Sequence, residues 1–69
     1  MKQELLKERE HKIIKLICRE YTSQEIAEKF GLSLKRMEQL RSDILVKTKS
    51  RNTVGIVKYA IKNKIYKLR

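Results

Sequence analysis

The chain has 69 residues, which is enough for one small domain and leaves no room for a second. Its single cysteine excludes an intramolecular disulfide, and one histidine with one cysteine makes no zinc site without nearby carboxylates. No apolar run approaches the roughly 20 residues that span a bilayer, and the first residues contain no signal-peptide core. We therefore expect a cytoplasmic protein of modest stability that uses no cofactor.

Positive charge is concentrated in the second half of the chain. Lys and Arg number 18 against 8 acidic residues, for a net charge of +10. Residues 1–34 hold 7 basic and 6 acidic side chains, a balance of +1, whereas residues 35–69 hold 11 and 2, a balance of +9. Such asymmetry is typical of surfaces that bind polyanions, because each neutralised phosphate releases condensed counterions. The alternative is a lysine-rich surface that is merely solvated.

Four apolar-periodic segments, separated by polar turns, predict an all-α fold with four helices. We predict a single domain over residues 1–69, with helices at about residues 5–19, 23–30, 34–47 and 53–67. In the first helix one face carries Leu6, Ile13, Leu16 and Ile17. In the last helix a broad apolar stripe is formed by Ile56, Val57, Ala60, Ile61, Ile65 and Leu68.

The second and third helices have specific end signals. Thr22 and Glu25 have the spacing of a capping box at the start of the second helix. Gly31 is placed to end that helix in a left-handed conformation, and Ser33 is placed to cap the third helix. A short helix, a turn containing glycine and a longer helix form the pattern of a helix-turn-helix, whose second helix can lie in the major groove of DNA.

These segments resemble the LuxR/FixJ/GerE-type helix-turn-helix family over nearly the whole chain, from about Leu6 to Leu68. The family's opening motif is similar to Leu6 with Arg9-Glu10, and its scaffold helix to Thr22-x-x-Glu25-Ile26-Ala27. The start of its recognition helix is similar to Leu32-Ser33 followed by Met37 and Ile44, and its closing motif to Lys47 followed by Ile56-Val57-x-x-Ala60. The chain departs from the family pattern at Glu20 (usually Gly), Arg36 (usually Thr), Leu40 (usually His) and Thr53 (usually Arg).

The resemblance implies a bacterial transcriptional regulator that binds double-stranded DNA as a homodimer, with RNA polymerase as a further candidate partner and the nucleoid as its location when bound. Many relatives carry an amino-terminal receiver or ligand-binding domain. This sequence has none, so we expect a stand-alone regulator or a domain excised from a longer protein.

The resemblance also implies that the exposed face of the third helix enters the major groove. Carried over by position, the candidate base-contacting residues are Lys35, Glu38, Gln39 and Ser42. Gln pairs bidentately with adenine, and Glu accepts a hydrogen bond from the cytosine amino group. The candidate phosphate ligands are Arg36, Arg41, Lys47, Lys49 and Arg51, with Thr22, Ser23 and Gln24 at the start of the second helix. For each of these residues the alternative is a solvated surface position.

The fourth helix is the predicted dimer interface, because its apolar residues cover more than one side and a small core covers only one. Gly55 in mid-helix costs about 1 kcal/mol relative to Ala, which indicates a close approach by a neighbouring helix. The predicted interface consists of Gly55, Ile56, Tyr59 and Ala60. The alternative for Gly55 is a position near a frayed helix start.

No nucleophile–base pair, phosphate-cradling glycine loop or metal-ligand cluster is apparent, so we do not expect an enzyme. Two other functions compete with transcriptional regulation by direct DNA binding. One is a polymerase-associated module resembling sigma-factor region four, which uses the same motif. The other is a protein-interaction adaptor whose apolar fourth helix binds a partner, although the charge asymmetry argues against it.

Overall fold

Four α-helices account for most of residues 6–67, the part of the chain that the computed structural model describes. They are α1 (Glu8–Cys18), α2 (Ser23–Phe30), α3 (Leu34–Lys47) and α4 (Thr53–Lys62). α1 packs against α4, α2 against α3, and α3 against α4. The all-α, four-helix prediction is therefore confirmed, and the predicted bounds of α2 and α3 match the structure.

α1 begins later than the sequence predicts. Lys7 is extended, with φ −80° and ψ 163°, and its backbone N–H donates to the Glu10 carboxylate at 2.8 Å. Because Glu10 satisfies this backbone donor at the helix start, α1 begins at Glu8. Residue 5, where the predicted helix begins, lies outside the described residues.

α4 ends earlier than predicted, at Lys62 rather than at residue 67. Lys64 has φ 61°, in the left-handed region, which stops the helix two residues after its last turn. The following residues, Ile65 and Tyr66, pack back against the core. Leu68, which the predicted stripe includes, lies outside the described residues.

All four helices end in the same hydrogen-bonded turn. Within two residues of the end of each helix, a single residue adopts a left-handed conformation. These residues are Glu20, Gly31, Lys49 and Lys64. The N–H of each donates to the carbonyl three residues back, and the next N–H donates to the carbonyl five residues back. This is the Schellman motif. Glu20, which stands where the resembled family usually has glycine, adopts this conformation at a steric cost of about 1–2 kcal/mol.

Side-chain caps fix the starts of the last three helices. Thr22 and Glu25 form the predicted capping box, with bonds of 2.8 and 3.1 Å between each side chain and the other's backbone N–H. The Ser33 hydroxyl accepts from the backbone N–H of Arg36 at 3.0 Å, and Asn52 caps α4 by accepting from Gly55 at 3.2 Å. Polar side chains therefore cap the N-termini of both helices of the α2–turn–α3 unit.

The core is built from one face of each helix. Its buried apolar side chains are Ile13, Ile14, Ile17, Ile26, Ala27, Met37, Leu40, Ile44, Ile56 and Ala60. Leu40, which stands where the resembled family usually has His, is among them. Within residues 6–67, no helix combines the length and the apolar character needed to cross a membrane.

Candidate nucleic-acid interface

The outward surface of α3 is the candidate interface. Met37, Leu40 and Ile44 turn one side of this helix into the core. At 3.6 residues per turn, the opposite side carries the exposed residues Lys35, Glu38, Gln39, Ser42 and Val46, which we call the α3 face. The structure thus places the four predicted base-contacting residues on one solvent-exposed surface.

Val46 is the member of the α3 face that the sequence analysis missed. Its side chain is 73% exposed, although it is apolar and branched. The signal lay in its spacing, because Val46 follows Gln39 by seven residues and Ser42 by four, in phase with the polar face. An apolar side chain on this surface can make an apolar contact with a thymine methyl group.

Arg36 lies at the edge of the α3 face and is hydrogen-bonded to one of its members. The Arg36 guanidinium donates from Nη1 to Oε1 of Gln39 at 3.1 Å, and both side chains are exposed. Arg36 was predicted as a phosphate ligand and Gln39 as a base-contacting residue. The structure brings the two together.

Three of the predicted phosphate ligands gather in one cleft. Thr22 and Ser23, at the start of α2, line it together with Arg41 of α3 and Thr53 of α4. The guanidinium of Arg41 donates to the Thr53 hydroxyl and so joins α3 to α4. Because α2 and α4 both begin at this cleft, the positive ends of two helix dipoles add to the charge of Arg41, whereas the carboxylates of Glu20 and Glu38, which also line it, oppose them.

Two more predicted phosphate ligands lie apart from that cleft. Lys49 and Arg51 are exposed in the loop between α3 and α4, beside Lys58 of α4. Gln24 is exposed on the first turn of α2. Five of the eight predicted phosphate ligands therefore lie either in this cleft, which we call the α2–α3–α4 cleft, or in the basic loop between α3 and α4.

Lys47 has a different partner from the phosphate that the sequence predicts. Its ammonium lies 2.9 and 3.1 Å from the two carboxylate oxygens of Glu10. The two side chains are only 15% and 6% exposed. This ion pair disfavours Lys47 as a phosphate ligand, because a phosphate would compete with Glu10 for a largely buried ammonium.

The Glu10 carboxylate is held in its charged form. Burial by itself raises the pKa of this carboxyl group, but hydrogen bonds from the Lys7 backbone and the Lys47 ammonium outweigh it, and the net pKa lies below the ordinary value. The sequence analysis did not single out Glu10 as a buried partner. Its spacing to Ile13, Ile14 and Ile17 puts it on the buried side of α1, which was the available signal.

The predicted dimer interface is wrong for two of its four residues. Ile56 and Ala60 are fully buried in the core of their own chain, so neither offers a surface to a partner. The absence of a side chain at Gly55 is also explained within the chain, because a Cβ there would lie 2.8 Å from Cβ of Ser50. The close approach that the sequence indicates comes from the preceding loop. Tyr59 is half-buried.

α4 nevertheless presents an apolar surface. Val54 is 61% exposed and Ile61 is 37% exposed, and their spacing of seven residues puts them on the same side of the helix. Lys58 lies between them and is exposed. This strip, Val54–Lys58–Ile61, replaces Ile56 and Ala60 as the surface of α4 that is open to contact.

Cys18 is half-buried and lines the α2–α3–α4 cleft from the end of α1. Burial raises the pKa of its thiol, which disfavours the reactive thiolate. Among residues 6–67, no three His, Cys, Asp or Glu side chains are grouped so that they could hold a metal ion.

The sequence is similar to part of a regulatory protein. The oxygen regulatory protein NreC of Staphylococcus aureus strain JH9 is 36% identical to it over 61 residues, which cover 88% of this chain and 28% of NreC. NreC of strain JH1 matches to the same extent. No family model matches the sequence. The chain is a helix-turn-helix domain that spans little more than a quarter of the length of these curated relatives.

Proposed function

We propose that this chain binds double-stranded DNA in a sequence-specific manner and acts as a transcriptional regulator of the LuxR/FixJ/GerE type. The observation that carries the proposal is the α3 face, four exposed polar side chains and one exposed valine on the second helix of a helix-turn-helix. A helix of this kind fits the major groove, where each base pair offers a distinct set of donors and acceptors. The similarity to a regulatory protein supports the same function.

In this proposal the phosphate backbone is bound by groups beside the α3 face. Arg41 and the first turns of α2 and α4 line one cleft, where the guanidinium and the helix dipoles favour an anion and the carboxylates of Glu20 and Glu38 oppose it. Lys49 and Arg51 supply a second cationic surface in the loop between α3 and α4. These contacts fix the position of the domain on the duplex and provide affinity for any sequence.

The proposal includes a homodimer formed through α4. Its support is the exposed strip of Val54, Lys58 and Ile61, since burial of an apolar strip against a second surface is favourable in free energy. Two copies would present their α3 faces to half-sites about 10 base pairs apart. The protein works in the cytoplasm, without enzymatic activity or cofactor, and RNA polymerase is a candidate partner on promoter DNA.

Salt dependence of binding tests the proposal. Affinity for a fluorescent random-sequence duplex is measured between 50 and 200 mM salt, and six or more phosphate contacts predict a loss of about a thousandfold. Arg51→Ala should make the slope of log affinity against log salt shallower by about one unit. Lys12→Ala, on the exposed side of α1, is the matched control and should leave the slope unchanged. Affinity that stays level across the range would contradict DNA binding.

A further inference from the structure

Arg36 and Gln39 form a hydrogen-bonded pair in the first half of α3. Arg36 is the third residue of this helix, and the N-terminal residues of a recognition helix are the ones that contact base edges. The Arg36 backbone N–H is fixed by the Ser33 cap, and its guanidinium reaches Oε1 of Gln39 at 3.1 Å. The Arg36 backbone is therefore held by the cap, whereas the side chains of Arg36 and Gln39 are exposed to solvent.

The hydrogen bond decides what this pair can offer to a ligand. A glutamine amide has one acceptor oxygen and two N–H donors, whereas a guanidinium has five N–H donors and no acceptor. The Gln39 amide oxygen has two lone pairs, and one of them already accepts from the positively charged Arg36, so a second, neutral donor is bound more weakly. N–H donors therefore predominate among the groups that the pair can still offer.

A surface on which donors predominate distinguishes the purines. Guanine presents two acceptors, N7 and O6, in the major groove, whereas adenine presents the N7 acceptor beside the N6 amino donor. We propose that Arg36 and Gln39 act as one base-contacting unit that selects guanine. This inference rests on the proposed function, replaces the expected pairing of Gln39 with adenine, and moves Arg36 from the phosphate ligands to the base-contacting residues.

Selection of bound duplexes from a randomised library tests the inference directly. For the wild-type chain we expect one position at which guanine is preferred over adenine by about tenfold, the discrimination of a good bidentate contact. In Arg36→Ala the Gln39 oxygen is released, so the same position should change its preference from guanine to adenine. Gln39→Ala should reduce the preference at that position alone.

Two further variants separate this unit from a general loss of charge. Arg36→Lys keeps the charge but lacks the planar fork, so the preference for guanine should fall several-fold. Lys49→Ala removes an exposed candidate phosphate ligand, and should weaken binding to all selected duplexes without changing the preferred base. Thermal unfolding of each variant confirms that the exposed substitutions leave the fold intact.

The outcomes distinguish the inference from the function on which it rests. If the wild-type chain selects adenine at the position governed by Gln39, or if Arg36→Ala still selects guanine there, the paired unit is wrong while DNA binding stands. If the wild-type chain enriches no sequence and binds random duplex without salt dependence, the proposed function itself is overturned.

Discussion

The ammonium of Lys47 donates to both carboxylate oxygens of Glu10, and this ion pair ties the end of α3 to the start of α1. Glu10 also accepts from the backbone N–H of Lys7, so one carboxylate caps α1 and anchors α3. Since α1 and α3 are separated by the whole of α2 in sequence, the pair helps to set the direction of the α3 face relative to the rest of the domain.

Replacing Lys47 should affect stability rather than phosphate binding. Lys47→Ala leaves the Glu10 carboxylate largely buried without its partner, which should lower the free energy of unfolding by on the order of 3 kcal/mol. Urea unfolding measures this loss. Lys58→Ala, which removes an exposed lysine, is the control and should change stability by about 0.5 kcal/mol or less. Unchanged stability of Lys47→Ala, with a shallower salt slope for DNA binding, would restore Lys47 as a phosphate ligand.

The same ion pair predicts acid sensitivity. Because the pKa of Glu10 is lowered on folding, its carboxylate contributes stability that is complete above the ordinary value of 4.5 and is lost as the pH falls through the lowered value. Urea unfolding at a series of pH values should therefore show a decline below about pH 4.5 that is smaller in Glu10→Gln. Glu28→Gln removes one exposed carboxylate without touching the pair. If Glu28→Gln reduced the decline as much as Glu10→Gln, the assignment to Glu10 would fail.

Gly55 should be intolerant of any side chain for a reason internal to the chain. A Cβ at this position would lie 2.8 Å from Cβ of Ser50 and 3.3 Å from its Cα. We expect Gly55→Ala to destabilise the domain by about 1–2 kcal/mol, the usual cost of overpacking, although Ala favours a helix. Since Ser50→Gly also removes a hydrogen bond to Thr48, the comparison is made within that background, where Gly55→Ala should cost less than it does in the wild-type chain. A loss that varies with protein concentration would instead point to a subunit contact.

Glu20 offers a site for stabilisation. Its φ of 69° is strained for a residue with a Cβ, so Glu20→Gly should raise the free energy of unfolding by about 0.5–1 kcal/mol. Glu20→Ala keeps the Cβ and should show no such gain. Thermal and urea unfolding of both variants separate release of backbone strain from removal of a charge, because the two substitutions remove the same carboxylate.

Val46 provides a test of DNA contact by the α3 face that involves no hydrogen bond. If it contacts a thymine methyl group, replacing thymine by uracil in a selected duplex should weaken wild-type binding about fourfold, the value of one buried methyl group. Val46→Ala should bind the two duplexes more nearly alike. Affinities measured by fluorescence anisotropy for the four combinations form a thermodynamic cycle. If the change from thymine to uracil weakened the binding of Val46→Ala as much as it weakened wild-type binding, the contact would be excluded.

Local signals in the sequence predicted the helix ends where a short motif controls them. Thr22, Gly31 and Ser33 each act through backbone groups within a few residues, so their roles follow from spacing alone. The end of α4 was missed because the apolar periodicity continues to Ile65, while the residue that stops the helix is a lysine in a left-handed conformation. Residue type gave no indication of that conformation.

Contacts between distant segments were beyond the sequence analysis. Glu10 and Lys47 are 37 residues apart, and the sequence analysis noted Glu10 only in the family's opening motif and Lys47 as a candidate phosphate ligand. Periodicity identified the apolar stripes of α4 but did not tell which one enters the core, so Ile56 and Ala60 were assigned to a partner. The packing of α4 against both α1 and α3 decides that question.

The order in which the helices pack has a consequence for folding kinetics. Two of the packed pairs, α2–α3 and α3–α4, join helices that follow one another in the chain, so each closes only a short loop. The contact between α1 and α4 is the one that closes the whole domain. A topology dominated by local contacts belongs with the fast folders, on a timescale of about microseconds to milliseconds. In such a chain the helix-turn-helix can assemble before the two outer helices meet.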